Sequence, residues 1–220
     1  MNEDVSLDKR SVGYRQRKLS MKKGTEAMHE LLKAAKSAKI PADYVLFDSW
    51  FSSPKTIHAV KNIGYNVIAM VKKTPKMKFL HNGKALSLTE IYKHSKKKRG
   101  RSRYLFSVMV DVEKDGMTIP AKVVSVRNKN KRNEYLCLIS SSIEINEEAI
   151  IRIYGKRCNI EVFFKVCKSY LRLAKECMSL SYGAMTAHVA IVFARYMMLS
   201  VENRKSQDGG PLENCFCTFG

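Results

Sequence analysis

The chain has 220 residues, 45% of them hydrophobic, which is ample for a buried core and argues against a disordered tail. Lys and Arg number 40 against 20 Asp and Glu, a formal net charge of +20, and such a field draws polyanions: nucleic acid, an anionic membrane or acidic proteins. No uninterrupted apolar run reaches the roughly 18–20 residues of a membrane span, and the opening MNEDVSLDKRSVGYRQRK has no apolar signal core.

In chain order, residues 1–20 are charged and show no apolar period. GTEAMHELLKAAKSAKI (24–40) has helical spacing, with Thr25 as the expected N-cap and Pro41 as the stop. DYVLF (43–47) predicts a buried strand ending at Asp48. SPKTIHAVKNIG (53–64) predicts a helix capped by Ser53, begun by Pro54 and stopped by Gly64. YNVIAMV (65–71) predicts a second buried strand, so this part reads as a βαβ unit of an α/β sheet.

The pattern then changes. Residues 103–113, 117–127 and 134–142 predict an antiparallel meander, with Asp115-Gly116 as a tight turn and Pro120 marking an edge or a bulge. Two basic loops flank these strands, KHSKKKRGRSR (93–103) and NKNKRN (128–133). Asn146 is expected to cap a long helix running to about residue 175, with Glu147 and Glu148 in its first turn. An apolar helix over 182–204 follows, and Gly209, Gly210 and Pro211 break the chain. The organisation reads as four segments: 1–20, 21–75, 76–145 and 146–220. Six cysteines form no paired CxxC set, which argues against zinc; they read as reduced core residues.

YGKRCNIEVFFKVCK (154–168) carries the strongest chemical pattern. On one continuous helix, Tyr154, Arg157, Glu161, Lys165, Lys168, Arg172 and Lys175 share a single stripe on an otherwise apolar surface. The plain reading is a solvated face with an Arg157–Glu161 pair worth a few tenths of a kcal/mol. Five cations to one acid exceed what pairing needs, however. A carboxylate among cations is held anionic and suits a divalent metal, while the cations suit phosphates. Asp48 invites the same choice: it is either a turn cap or one of the ligand groups that collect at carboxyl ends of strands. Trp50, the only tryptophan, is expected to pack rather than touch DNA. His58, His81, His94 and His188 read as core or surface residues.

YVLFDSWF followed by Tyr154, Arg157, Glu161 and Lys168 in the spacing Y-x2-R-x3-E-x6-K resembles the DDE transposases of bacterial insertion sequences, in the group with the Tyr-Arg-Glu-Lys signature. The resemblance covers about residues 24–204. It implies an α/β fold: a ribonuclease H-like core with an antiparallel β-rich insertion and C-terminal helices. It implies two Mg²⁺ or Mn²⁺ ions clamping a phosphodiester while water, then a DNA 3′-hydroxyl, attacks in line. Asp48 and Glu161 would be catalytic metal ligands. Tyr154, Arg157 and Lys168 would orient transposon-end DNA. Lys165 and Arg172, from the wheel, and Lys96, Lys97, Lys98 and Arg99, from the basic loop, join them as DNA-binding candidates. The implied partners are double-stranded DNA, at transposon ends and target, and a second copy in a homodimer, with no membrane. The implied location is the bacterial cytoplasm, at the nucleoid.

The resemblance also implies a first catalytic Asp on an earlier strand, and neither Asp4 nor Asp8 ends an apolar run. The chain is therefore expected to be truncated at its N-terminus, and at its C-terminus too, and to be inactive alone. The competing readings are a non-catalytic DNA-binding remnant able to inhibit a full-length copy, and a basic RNA- or ribosome-associated protein.

Overall fold

The computed structural model describes residues 8–100, 102–128, 131, 134–178 and 181–205. Asp4, Arg101, the Gly209–Pro211 break, Cys215, Cys217 and part of the 128–133 loop lie outside them. The chain forms two units: Lys22–Gly155, and the residues before Lys22 together with those from Lys156 onward. Helix α1 (Val12–Ser20), in the stretch without apolar period, belongs to the latter.

The Lys22–Gly155 unit opens with α2 (Gly24–Ser37). Its cap is Lys23, not Thr25, because the N–H groups of Glu26 and Ala27 already close onto the Lys23 carbonyl. It stops before Pro41 is reached: Lys39 takes a left-handed φ of 54° and the Ile40 N–H closes onto the Ala35 carbonyl. β1 (Tyr44–Phe47), α3 (Pro54–Ile63) and β2 (Asn66–Val71) form the expected βαβ unit, with β1 and β2 parallel. The Ser53 hydroxyl accepts from the Thr56 N–H, Pro54 sits in the first turn, and Gly64 at φ 94° ends α3.

Three elements carry no expectation from the sequence: β3 (Lys78–His81), β4 (Lys84–Ser87) and α4 (Leu88–His94). Asn82 and Gly83, both left-handed, turn the β3–β4 hairpin. A capping box starts α4: the Ser87 hydroxyl and N–H donate to the Glu90 carboxylate and hold it below the usual carboxylate range.

β5 (Tyr104–Lys114), β6 (Met117–Arg127) and β7 (Tyr135–Ser140) form the meander, turning at Asp115-Gly116. It does not stand apart from the βαβ unit. β7 pairs antiparallel with β2, giving one seven-stranded sheet in the order β1-β2-β7-β6-β5-β3-β4. Pro120 lies in a strand with partners on both sides, yet β7 pairs only with residues 122–127 of β6. Pro120 therefore sits where β6 is locally an edge, a position that tolerates a strand proline.

Alternation along the strands builds two cores. Val67, Ala69 and Val71 of β2 face Ile57 and Val60 of α3 in the larger cluster, which extends to Phe79 and Leu88. Ile68 of β2 joins Val124, Leu138, Ile150, Ile151 and Tyr154 on the other face. Burial on both faces explains the continuous apolar runs at 65–71 and 135–140. Each fully buried Ile or Phe here contributes about 1.5–3 kcal/mol. The architecture is mixed α/β with a mostly antiparallel sheet, consistent with a ribonuclease H-like core carrying a β-rich insertion.

The long helix expected over 146–175 is broken. Asn146 caps α5 (Glu147–Gly155), its side-chain oxygen accepting from the Ala149 N–H. A 3₁₀ turn (Lys156–Cys158) follows Gly155, and α6 runs only over Asn159–Ser169. Beyond it Arg172 and Ala174 take left-handed φ values of 54° and 65°, which no helix accommodates. The unit containing α6 has its own cluster, with Cys167, Leu171 and Phe163 against Val192, Phe193 and Tyr196 of α7 (Tyr182–Lys205). By length and composition Tyr182–Asn203, though interrupted by Arg195, could cross a membrane. One such helix, packed on α6, is weak evidence for a span.

Candidate active site and nucleic-acid interface

Sheet direction decides what gathers around Asp48. β1, β2 and β6 run one way and β7 and β5 the other. The carboxyl ends of β1, β2 and β6 therefore share one rim of the sheet with the amino ends of β7 and β5. Asp48 follows β1 on that rim; its side chain is exposed and accepts from the Ser49 N–H at 2.5 Å. Lys72 and Lys73 follow β2, and Arg127 ends β6. The described residues of both basic loops open onto the same rim, 93–100, 102 and 103 leading into β5, and Asn128 and Lys131 lying between β6 and β7. The turn at Asp115-Gly116 lies at the opposite end.

The rim interleaves cations with rings. Tyr92 stacks on Tyr135 with centroids 3.7 Å apart. Lys97 lies 4.3 Å from the Tyr92 ring and Lys73 lies 4.2 Å from that of Tyr135. Lys98 sits 4.2 Å from the Tyr104 ring and its ammonium donates to the Tyr104 hydroxyl. Lys72 lies 4.7 Å from the Trp50 ring. Lys96, Lys97, Lys98 and Arg99 are all exposed, while the loop backbone is tied down by Lys98 N–H donating to the Leu105 carbonyl. Exposed ammonium groups beside aromatic faces suit phosphates and bases together.

In the other unit, α6 presents Glu161, Lys165 and Lys168 on one exposed stripe, so the seam holds within this helix. Arg157, in the 3₁₀ turn, donates to Glu161 at 2.8 Å, and the glutamate side chain is 60% exposed. At that exposure the pair contributes only a few tenths of a kcal/mol and leaves the second carboxylate oxygen open to solvent or a ligand. The rest of the expected stripe is dispersed. Tyr154 is 1% exposed, inside the second core of the sheet unit, because Gly155 and the 3₁₀ turn interrupt the helical phase. Arg172 lies beyond α6, 3.7 Å from Glu176. Nor is the α6 surface mostly buried: Ile160 is 49% and Phe164 40% exposed. Trp50 does not pack, being 74% exposed; Phe51, beside it, takes the inward place against Phe47 instead.

Residues 22–198 match the transposase DDE domain family. The chain belongs to that family. No curated protein matches it. Transposase DDE domains act on DNA in transposition and generally use divalent metal ions, so the substrate class and the reaction class follow from membership. The carboxylates of Asp48 and Glu161 are hard oxygen donors of the kind Mg²⁺ and Mn²⁺ prefer. Among the described residues, no three His, Cys, Asp or Glu side chains gather into a metal-holding group within either unit of this transposase domain. The donor type fits and the donor number is small. Two histidines have structural tasks: buried His58 bonds to the Val112 carbonyl at 2.8 Å, and His188 accepts from the Ala174 N–H. Cys137, Cys158 and Cys167 are buried, and burial pushes the Cys137 thiol up to about 12.

Sequence reasoning missed Lys72, Lys73 and Arg127. Their signal was present, since both lysines directly follow an apolar strand parallel to the one ending at Asp48. What was lacking was the pairing of β7 with β2, which brings the basic loops to that end.

Proposed function

We propose that this transposase domain takes part in metal-dependent phosphodiester hydrolysis and strand transfer, with Asp48 and Glu161 as metal-holding carboxylates, while the 220-residue chain alone binds DNA without cutting it. The observation that carries the proposal is the rim: an exposed strand-end carboxylate sharing one sheet end with exposed cations from three connections. Mg²⁺ or Mn²⁺, when bound, supplies Lewis-acid stabilisation of the attacking and leaving oxygens. Lys72, Lys73, Lys96, Lys97, Lys98, Arg99 and Arg127 bind phosphates of duplex DNA at transposon ends or target. Lys165 and Lys168 do the same beside Glu161, and Arg157 orients the Glu161 carboxylate. Tyr154, in the core, holds the end of α5, and Arg172 remains an outlying phosphate contact. The bacterial cytoplasm, at the nucleoid, is where such an activity belongs.

Neutralising either carboxylate tests the assignment. Asp48→Asn and Glu161→Gln should each weaken Mn²⁺ binding, read by electron paramagnetic resonance, about tenfold or more, while duplex affinity is kept or slightly raised. Variants that hold Mn²⁺ as the wild type does would remove these carboxylates from the metal site.

A second copy is the further partner we propose. Exposed Met197, Met198, Leu199 and Val201 of α7 supply an apolar surface for it. Sedimentation with DNA should give two 25.1 kDa chains per complex; one chain per complex at all loadings would contradict this.

A further inference from the structure

We infer that Trp50 is a stacking platform for an unpaired nucleobase at the Asp48 end of the sheet. The inference rests on the DNA-binding reading and extends it to the state of the DNA: a frayed or single-stranded end rather than an intact duplex. Trp50 is 74% exposed, the second residue after Asp48, in a turn closed by the Phe51 N–H donating to the Asp48 carbonyl at 3.1 Å. Packing does not require the indole, since Phe51 already fills the inward position beside Phe47 at 6.2 Å between centroids.

The Lys72 ammonium lies 4.7 Å from the indole centroid, yet the ring keeps most of its surface in water. A large apolar ring left in water beside an exposed ammonium matches a nucleotide in two parts. The base has a π-face for the indole, and the phosphate has a charge for Lys72 and Lys73. A base inside a duplex is stacked on both faces, so the site favours unpaired nucleotides over internal pairs. Stacking of this kind is tolerant of base identity.

Trp50 is the only tryptophan, so the intrinsic emission of the full chain reports on this residue alone. The probes are a blunt duplex, the same duplex with a short 3′ single-stranded overhang, and that overhang made abasic. The overhang should quench the emission strongly and bind about tenfold or more tighter than the blunt duplex, and the abasic overhang should do neither. Trp50→Ala should bind overhang and blunt duplex alike, and Trp50→Phe should recover part of the preference. An overhang preference that survives Trp50→Ala, or wild-type emission that ignores the overhang while blunt DNA binds, overturns the stacking site alone. Failure to bind any of the three at low salt overturns the phosphate-binding reading with it.

Discussion

The affinity of the chain for duplex DNA should fall about 10³–10⁵-fold between about 50 and 200 mM salt, as for a protein that neutralises roughly six to ten phosphates. Among the described residues, the exposed cations of the rim include Lys72, Lys73, Lys96, Lys97, Lys98, Arg99, Arg103, Arg127 and Lys131. Each neutralised phosphate releases condensed counterions, so the slope of log affinity on log salt counts contacts. Changing Lys96, Lys97, Lys98 and Arg99 together to alanine should lower that slope by roughly 3–4, at about 0.9 per contact. The fold should survive, because the backbone bonds from Lys98 to Leu105 and from the Arg127 side chain to the Lys98 carbonyl need no loop side chain. A flat salt response, or an unchanged slope in the quadruple variant, would place the DNA elsewhere.

Binding without cutting is the second large effect expected. Two metal ions roughly 3.5–4 Å apart need enough carboxylates to hold both. Asp48 follows β1, whereas the strand beside it runs out into Lys72 and Lys73. Asp8 is engaged locally, its carboxylate accepting from the Arg10 N–H at 2.9 Å. The 220-residue chain should therefore bind a supercoiled plasmid yet leave it unnicked in Mg²⁺ or Mn²⁺, and this silence is what a non-catalytic DNA-binding form would also show. Nicking by the purified chain, abolished by Glu161→Gln, would mean that a further acid completes the site.

Local chemistry made α3 and the β5–β6 hairpin legible. Ser53, Pro54 and Gly64 fix both ends of the helix, and Asp115-Gly116 supplies the two left-handed residues that its turn needs. The Asn82-Gly83 hairpin carried the same signal, but its flanking strands are four residues each and the neighbouring lysines hide their alternation. The long-helix reading failed for a different reason. The charged stripe keeps its period from Tyr154 to Lys175, whereas the backbone gives way at Gly155, a poor helix former, and again at Arg172 and Ala174. Side-chain period reports which residues want one face, not whether the backbone between them stays helical. Asp48 and the α6 part of the seam were legible because each lies within one short element. The rim was not, because it depends on β7 returning beside β2, a pairing between residues about seventy apart.

That Asp48 and Glu161 are metal-holding carboxylates is tested most directly by iron-directed backbone cleavage. Iron(II) replaces Mg²⁺ at carboxylate sites and, with ascorbate and peroxide, cuts the polypeptide next to where it is bound. With DNA present, cuts should appear near residue 48 and near residue 161, the first lost in Asp48→Ala and the second in Glu161→Gln. No cut near either position, or a cut that persists when its own carboxylate is removed, would contradict the assignment.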